Sequence, residues 1–297
     1  MYHKSVLLIE SINMLAIRTG GIYVDATYGG GGHTLEILKR LQRGKVIAFD
    51  QDENALTNSV NDPRLILVHN NFMYLKNFLK LHRCLPVDGI IADLGVSSHQ
   101  IDCPERGFST RLEGPLDMRM DRRKTLTAAD ILNQYTEEQL VALFRESGEI
   151  HNAPTLVTKI VSMRKESPFR MTSQLADLAH SCAVKGKENQ YLAQVFQALR
   201  MEVNHELESL REFLSQTAEA LKPGGRLVVI SYHSLEDRMV KNFIRSGNLN
   251  GTIHKDFYGN VICPWKTLTR KAIVPDDAEI MDNKRARSAK MRAAEKI

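Results

Sequence analysis

Long apolar runs are missing from this sequence. No stretch approaches the ~18 consecutive apolar residues of a membrane span, and Met1-Tyr2-His3-Lys4-Ser5 does not lead into a signal peptide. Cysteine is scarce. Cys84, Cys103, Cys182 and Cys263 stand far apart with no C-x-x-C pair, which argues against zinc and for a reducing compartment. No metal and no membrane are therefore expected, and the location is read as cytoplasmic. Internal repeats and low-complexity tracts are absent too, which excludes a repeat array. What remains is an ordinary globular composition: 297 residues, 43% hydrophobic and 25% charged, enough for one large domain or two small ones. A formal charge of +5 permits a nucleic-acid partner without requiring one.

Glycine is concentrated where it matters. Asp25-Ala26-Thr27-Tyr28-Gly29-Gly30-Gly31-Gly32-His33 follows an apolar run, Gly21 to Val24, and precedes Thr34 to Leu41, which has helical period with Leu35, Leu38 and Leu41 on one side. A strand, a glycine turn and a helix present backbone N–H groups and a helix N-terminus to a ligand. Glycine lets the backbone come close to that ligand and adopt positive φ. A second strand, Lys45 to Phe49, ends at Asp50, where a carboxylate can accept hydrogen bonds from a ribose. Thr34 stands where a dinucleotide fingerprint has its last glycine. Acid-x-small-x-Gly-x-Gly instead resembles the first motif of class I S-adenosylmethionine methyltransferases, with Thr27 in place of its first glycine. Both cofactors carry a ribose, so Asp50 supports nucleoside binding without choosing between them.

The pattern continues with strands at Leu65–His69 and Val87–Leu94, separated by helix-length segments. That alternation predicts a parallel α/β sheet. Asp25, Asp50, Phe72 and Asp93 all fall at the carboxyl ends of strands, where such sheets bind ligands. After Asp93 the period changes. Residues 107–190 read as an inserted, mostly helical domain, with Thr136 as a helix cap. The α/β pattern returns with a long helix marked by Val203, Leu207, Leu210, Leu214 and Leu221. A fifth strand, Arg226–Ser231, and a helix from Ser234 follow. Segments 252–263 and 267–274 read as a closing hairpin, ahead of a basic tail from Lys284 to Arg292. The fold class is thus α/β, a Rossmann-like sheet formed by 1–106 and 191–297 and interrupted by the helical domain, and the likeness of its first motif to class I methyltransferases implies a sheet of that type.

Several strings are highly specific: Asp93-Leu94-Gly95-Val96-Ser97-Ser98-His99-Gln100, Glu105-Arg106-Gly107-Phe108-Ser109, Gly114-Pro115-Leu116-Asp117-Met118-Arg119-Met120-Asp121, Ser231-Tyr232-His233-Ser234-Leu235-Glu236-Asp237-Arg238 and Arg285-Ala286-Arg287-Ser288. Through them the chain resembles, over nearly its full length, the bacterial 16S ribosomal RNA cytosine-N4 methyltransferases. The resemblance implies methylation of the exocyclic amine of a decoding-centre cytidine. It implies S-adenosylmethionine bound at Gly31, Gly32, His33, Asp50, Phe72, Asp93 and Gln100, and a helical domain that helps recognise 16S rRNA within the small subunit. A homodimer is left open. The chain departs from the family pattern at Gly148-Glu149-Ile150, at Gln194 and at Lys284, none of which touches the cofactor positions.

Methyl transfer needs positioning more than acid–base power. Asp93 is a candidate acceptor for an N4 hydrogen, in competition with its cofactor role. His233 is a second candidate, in competition with a capping role. Phe108 and Tyr232 could stack on a splayed base or simply pack. Cys103 reads as incidental, which argues against carbon-5 chemistry. Phosphate contacts are expected from Arg106 and from Arg285, Arg287, Lys290 and Arg292, the tail having only Glu295 nearby. Two other classes stay open on the residues alone. One is a nicotinamide oxidoreductase, the other a non-enzymatic RNA-binding factor.

Overall fold

The computed structural model describes residues 5–297. The first four residues, on which the signal-peptide reading partly rests, lie outside the described residues. Two compact units emerge: one runs to Gly95 and resumes at Leu207–Ile297, the other is Val96–Glu206.

The first unit holds a seven-stranded sheet. Its strands are β1 (Ile22–Asp25), β2 (Lys45–Asp50), β3 (Leu65–His69), β4 (Val87–Asp93), β5 (Leu221–Ser231), β6 (Trp265–Thr267) and β7 (Lys290–Lys296), in the order β3-β2-β1-β4-β5-β7-β6. The first five run parallel, and β7 runs antiparallel to both β5 and β6. This is the open, mostly parallel α/β sheet expected from the sequence. Alternation along the strands divides the core into two layers. Val24, Ile47, Phe49, Ile90 and Val229 face one set of helices, including Leu210, Phe213 and Val240. Tyr23, Val46, Ile91 and Val228 face the other, with Ile12, Leu15, Ile37 and Leu38. Both faces are covered, so these strands are nearly continuous apolar runs.

The second unit is helical, with helices at Ala128–Gln134, Glu137–Glu146, Ala153–Glu166, Thr172–His180 and Glu188–Asn204. Thr127 and Thr136 cap the first two through capping boxes. Its limits lie outside the 107–190 read from the sequence. The reason is the helix Glu188–Asn204, whose Leu192, Val195, Phe196, Leu199 and Val203 are part of the helical core. The expected single long helix through Val203 and Leu221 is in fact two. His205 takes a left-handed φ of 52° and ends the first, and Glu206–Ala220 forms the second.

Two further expectations are corrected. No hairpin joins 252–263 to 267–274; residues 265–267 instead pair with β7. The segment read as a basic tail reaching for phosphates is largely built into the fold. Lys284–Ser288 forms a short 3-10 turn, and β7 is inserted between β5 and β6 with Met291, Ala293 and Ala294 buried.

Because β7 closes the edge of β5, its loss should expose unpaired backbone along the central sheet. Deleting residues 290–297 should therefore abolish the cooperative thermal transition and yield aggregates on size-exclusion chromatography. A deletion variant that stays monomeric with an unchanged melt would show that β7 is dispensable.

Candidate functional site

The site begins with the buried carboxylate of Asp25, at the end of β1. Its two oxygens accept from the Thr27 N–H at 3.1 Å and the Thr34 hydroxyl at 2.7 Å. Burial pushes its pKa above the ordinary carboxylate range, against the pull of those bonds. The chain is thereby bent around Asp25 into the glycine turn. Gly29 and Gly31 take φ of 51° and 77°, a region that favours glycine. A Cβ at Gly31 would lie 2.8 Å from the Tyr28 hydroxyl, and one at Gly32 would collide with Ser5. These glycines are required by the turn itself, before any ligand is considered. Gly31 also serves as the N-cap of the helix Gly32–Arg40.

Asp50, at the end of β2, accepts the Gly29 N–H at 2.8 Å and the Asp52 N–H at 2.9 Å. Burial raises its pKa to about 6, with Asp52 and Asp25 adding repulsion. Asp93, at the end of β4, is tied to the turn by its own N–H, which donates to the Thr27 hydroxyl at 2.7 Å. Thr27 thus bonds β1 to β4 where a glycine could not. The Asp93 carboxylate accepts the Tyr232 hydroxyl at 2.8 Å. Burial raises Asp93 to about 6, opposed by His33 and by the Tyr232 bond. The same environment pushes the Tyr232 hydroxyl well above its usual pKa, so it stays a donor.

His33 is buried in the first turn of its helix, and burial lowers its pKa. Among the described residues nothing hydrogen-bonds its Nε2. A buried, unsatisfied ring nitrogen is costly unless a ligand meets it. Phe72 opens a 3-10 turn beyond β3, capped by the Asn71 side chain. Its ring is half-buried and meets Phe213 edge-on at 5.2 Å. The structure therefore brings Gly31, Gly32, His33, Asp50, Phe72 and Asp93 to the carboxyl side of one sheet. Gln100 belongs to the other unit, where its side chain completes a capping box with Ser97.

Other expected site residues are placed differently. His233 caps the helix Ser234–Ser246: its Nδ1 accepts the Glu236 N–H at 3.4 Å and its Nε2 lies 3.2 Å from the Glu236 carboxylate. The capping reading, not the catalytic one, matches this geometry. Phe108 is buried in the helical core. Arg106 is a correction, because its guanidinium is buried, donates to the carbonyls of Arg119 and Met120, and packs 5.8 Å from the Phe108 ring. It organises a loop and is not presented to a phosphate. Arg292 is a second correction, held by Asp237 at 2.6 and 3.1 Å, with Lys290 at 3.8 Å from the same carboxylate. Arg287 and Lys290 are exposed, whereas Arg285 is partly buried. Glu295 is therefore not the only acid near the tail. Sequence reasoning undervalued Tyr232, and only the fold shows that its hydroxyl reaches Asp93.

Comparison with known proteins gives a consistent picture. A family model described as the MraW methylase family matches residues 1–297. A protein of Christiangramia forsetii named ribosomal RNA small subunit methyltransferase H is 53% identical over 297 residues, covering 100% of this chain and 98% of its own. Its namesake in Cytophaga hutchinsonii is 53% identical over 298 residues, covering 100% of both. The protein of the same name in Bacteroides thetaiotaomicron is 52% identical over 296 residues, covering 99% of this chain and 97% of its own.

The raised acidity of Asp93 has a testable sign. A carboxyl at about 6 when folded, against 3.8 ordinarily, binds its proton more tightly in the folded state. Its contribution favours folding below about 4 and is lost as pH rises through about 6. Asn at this position still accepts from Tyr232 but cannot ionise. Asp93→Asn should thus melt with wild type near pH 4 and above it at pH 7.5, by about 3 kcal/mol. Calorimetry showing equal or lower stability at pH 7.5 would contradict this account.

Proposed function

The chain belongs to the MraW methylase family, and from that we propose that it transfers a methyl group from S-adenosylmethionine to the N4 amine of a specific cytidine in the decoding centre of 16S rRNA. Its relatives are named as methyltransferases of small-subunit ribosomal RNA, which supports the substrate class. On this reading the reaction takes place in the cytoplasm, on RNA within the assembled small subunit, and the helical unit helps to recognise that RNA.

S-adenosylmethionine fits the residues present. The turn at Gly29 and Gly31 leaves the backbone bare, His33 carries an unmet buried nitrogen, and Asp50 and Asp93 are half-buried acceptors of weakened acidity. Gly31, Gly32, His33, Asp50 and Phe72 would hold the cofactor, with Asp50 suited to ribose hydroxyls and Phe72 to a purine face. When bound, it supplies an already activated methyl group.

The chain must then present a nucleophile and manage one proton. The cytosine N4 lone pair is delocalised into its ring. An acceptor bonded to one N4 hydrogen localises that pair and takes the proton once the new bond forms. The observation that carries this role is the Tyr232–Asp93 bond. Tyr232 holds one carboxylate oxygen at 2.8 Å, which fixes the carboxylate and leaves the second oxygen for the amine. A pKa of about 6 keeps Asp93 ionised at neutral pH yet more basic than an ordinary aspartate.

Carbon-5 methylation would require a cysteine to attack the ring. In the sheet unit, Cys84 precedes β4 and so lies by its amino end, opposite Asp93; its thiol donates to the His82 carbonyl. Cys263 packs by the Ile244 carbonyl at 3.5 Å. Neither is at the strand ends that carry the site.

Nucleoside mass spectrometry of RNA from assembled small subunits treated with the protein and S-adenosylmethionine should therefore show N4-methylcytidine. Replacing all four cysteines by Ser should leave turnover within about threefold, well below the loss from removing a transition-state contact. Detection of 5-methylcytidine, or a folded but inactive cysteine-free variant, would refute the assignment.

A further inference from the structure

The formal charge of +5 is unevenly placed. Residues 241–271 hold six Lys and Arg (Lys241, Arg245, Lys255, Lys266, Arg270, Lys271) against a single acid, Asp256. The rest of the chain is balanced, with 34 basic and 34 acidic residues. All six bases are exposed. Lys266 approaches Glu295 at 4.0 Å, while the other five make no ion pair among the described residues. This is where the molecule keeps its uncompensated positive charge.

The same segment presents the most exposed aromatics. Residues 253–262 fold back on themselves through the Lys255–Val261 bridge, the Ile262 N–H to His254 carbonyl bond at 2.8 Å, and the Asp256 N–H to Asn260 carbonyl bond at 2.9 Å. Asp256 builds the tip. Its carboxylate accepts from the N–H groups of Tyr258 and Asn260 and from the Asn260 side chain, at 2.8–3.0 Å. Those bonds hold its pKa below the ordinary range, led by the Asn260 side chain. Gly259 supplies the positive φ of 86° that closes the turn. The only acid of the segment is thus engaged in its architecture.

Carried outward on this turn are Phe257, 98% exposed, and Tyr258, 86% exposed, with their rings edge-to-face at 5.7 Å. The base of the finger is anchored. Trp265 meets Phe243 at 5.5 Å, and the Cys263 thiol contacts the Ile244 carbonyl. Lys241 and Arg245, one helical turn apart, lie beside these anchors on the helix Ser234–Ser246.

Two aromatic rings on an ordered turn, flanked by unpaired bases, match what single-stranded RNA needs: a stacking platform beside phosphate neutralisation. We propose that the 253–262 finger stacks Phe257 and Tyr258 on unpaired nucleobases of the ribosomal RNA substrate, while Lys241, Arg245 and Lys255 contact its phosphates. The inference rests on ribosomal RNA being the substrate. It moves the main electrostatic contact away from the C-terminal bases, where Asp237 engages both Arg292 and Lys290.

The test uses the full chain in three forms: wild type, Phe257→Ala with Tyr258→Ala, and Lys241→Ala with Arg245→Ala and Lys255→Ala. Binding is measured against protein-free small-subunit RNA and against assembled small subunits, over a range of salt. The aromatic variant should bind both ligands about five- to a hundredfold more weakly, with an unchanged salt slope. The basic variant should lose about 0.7–0.9 of log–log salt slope for each contact removed. Both should retain the wild-type melt and S-adenosylmethionine affinity, with methylation impaired in KM and preserved in kcat. Unchanged RNA affinity in variants of a wild type that binds and methylates RNA would overturn the finger alone. Loss confined to assembled subunits would make the occupant a ribosomal protein, and loss of wild-type self-association would make it a second copy; either overturns the proposal. A wild type that binds no RNA at all would overturn the proposed function with it.

Discussion

Three carboxylates, Asp25, Asp50 and Asp93, end adjacent strands of one parallel sheet, and withdrawing them from water is the constraint on which the site depends. Burial pushes all three pKa values up, with smaller like-charge contributions at Asp50 and Asp93, and each is offset by donors aimed at it. Asp25 spends its oxygens on Thr27 and Thr34 and so shapes the turn. Asp50 takes the Gly29 N–H and fixes the turn from the neighbouring strand. Asp93 takes the Tyr232 hydroxyl, which joins β4 to the end of β5. Remove any donor and a buried charge loses its compensation. The cluster is therefore both the scaffold of the glycine turn and a store of acceptors for a polar ligand.

Much of this was legible in the sequence because it is local. The apolar runs of β2, β3 and β4 and the acids that end them need only a few consecutive residues to be seen. The glycine turn announces itself because Gly31 and Gly32 have no room for a side chain. What could not be read is what depends on distant partners. Lys290–Lys296 looks like a charged tail, yet its small residues, Ala293 and Ala294, fit it between two strands. Asp237, which neutralises Arg292, lies 55 positions away. The break at His205 is invisible to helical period, since a left-handed residue leaves the flanking apolar spacing intact. Arg106 sits in a polar-looking string but is buried against Phe108, an environment set by the fold.

On the proposed reading, chemistry and RNA binding are carried by different parts of the chain. The carboxylate cluster, with His33 and Phe72, lies at the sheet's carboxyl side, whereas the uncompensated positive charge lies in residues 241–271. That separation suits an enzyme whose reaction is simple and whose substrate is large. Remote binding energy positions the reacting base, while the reacting groups need only hold an amine in line and receive one proton.

The central claim is that Asp93, oriented by Tyr232, accepts the amine proton. The most direct measurement is the single-turnover methylation rate of assembled small subunits as a function of pH, in wild type and Tyr232→Phe. The account predicts a rate that rises with pH around a midpoint of about 6. The midpoint should move upward in Tyr232→Phe, because the lost hydroxyl no longer stabilises the carboxylate. A flat profile in wild type across pH 5 to 8, or a midpoint unmoved by Tyr232→Phe, would contradict it.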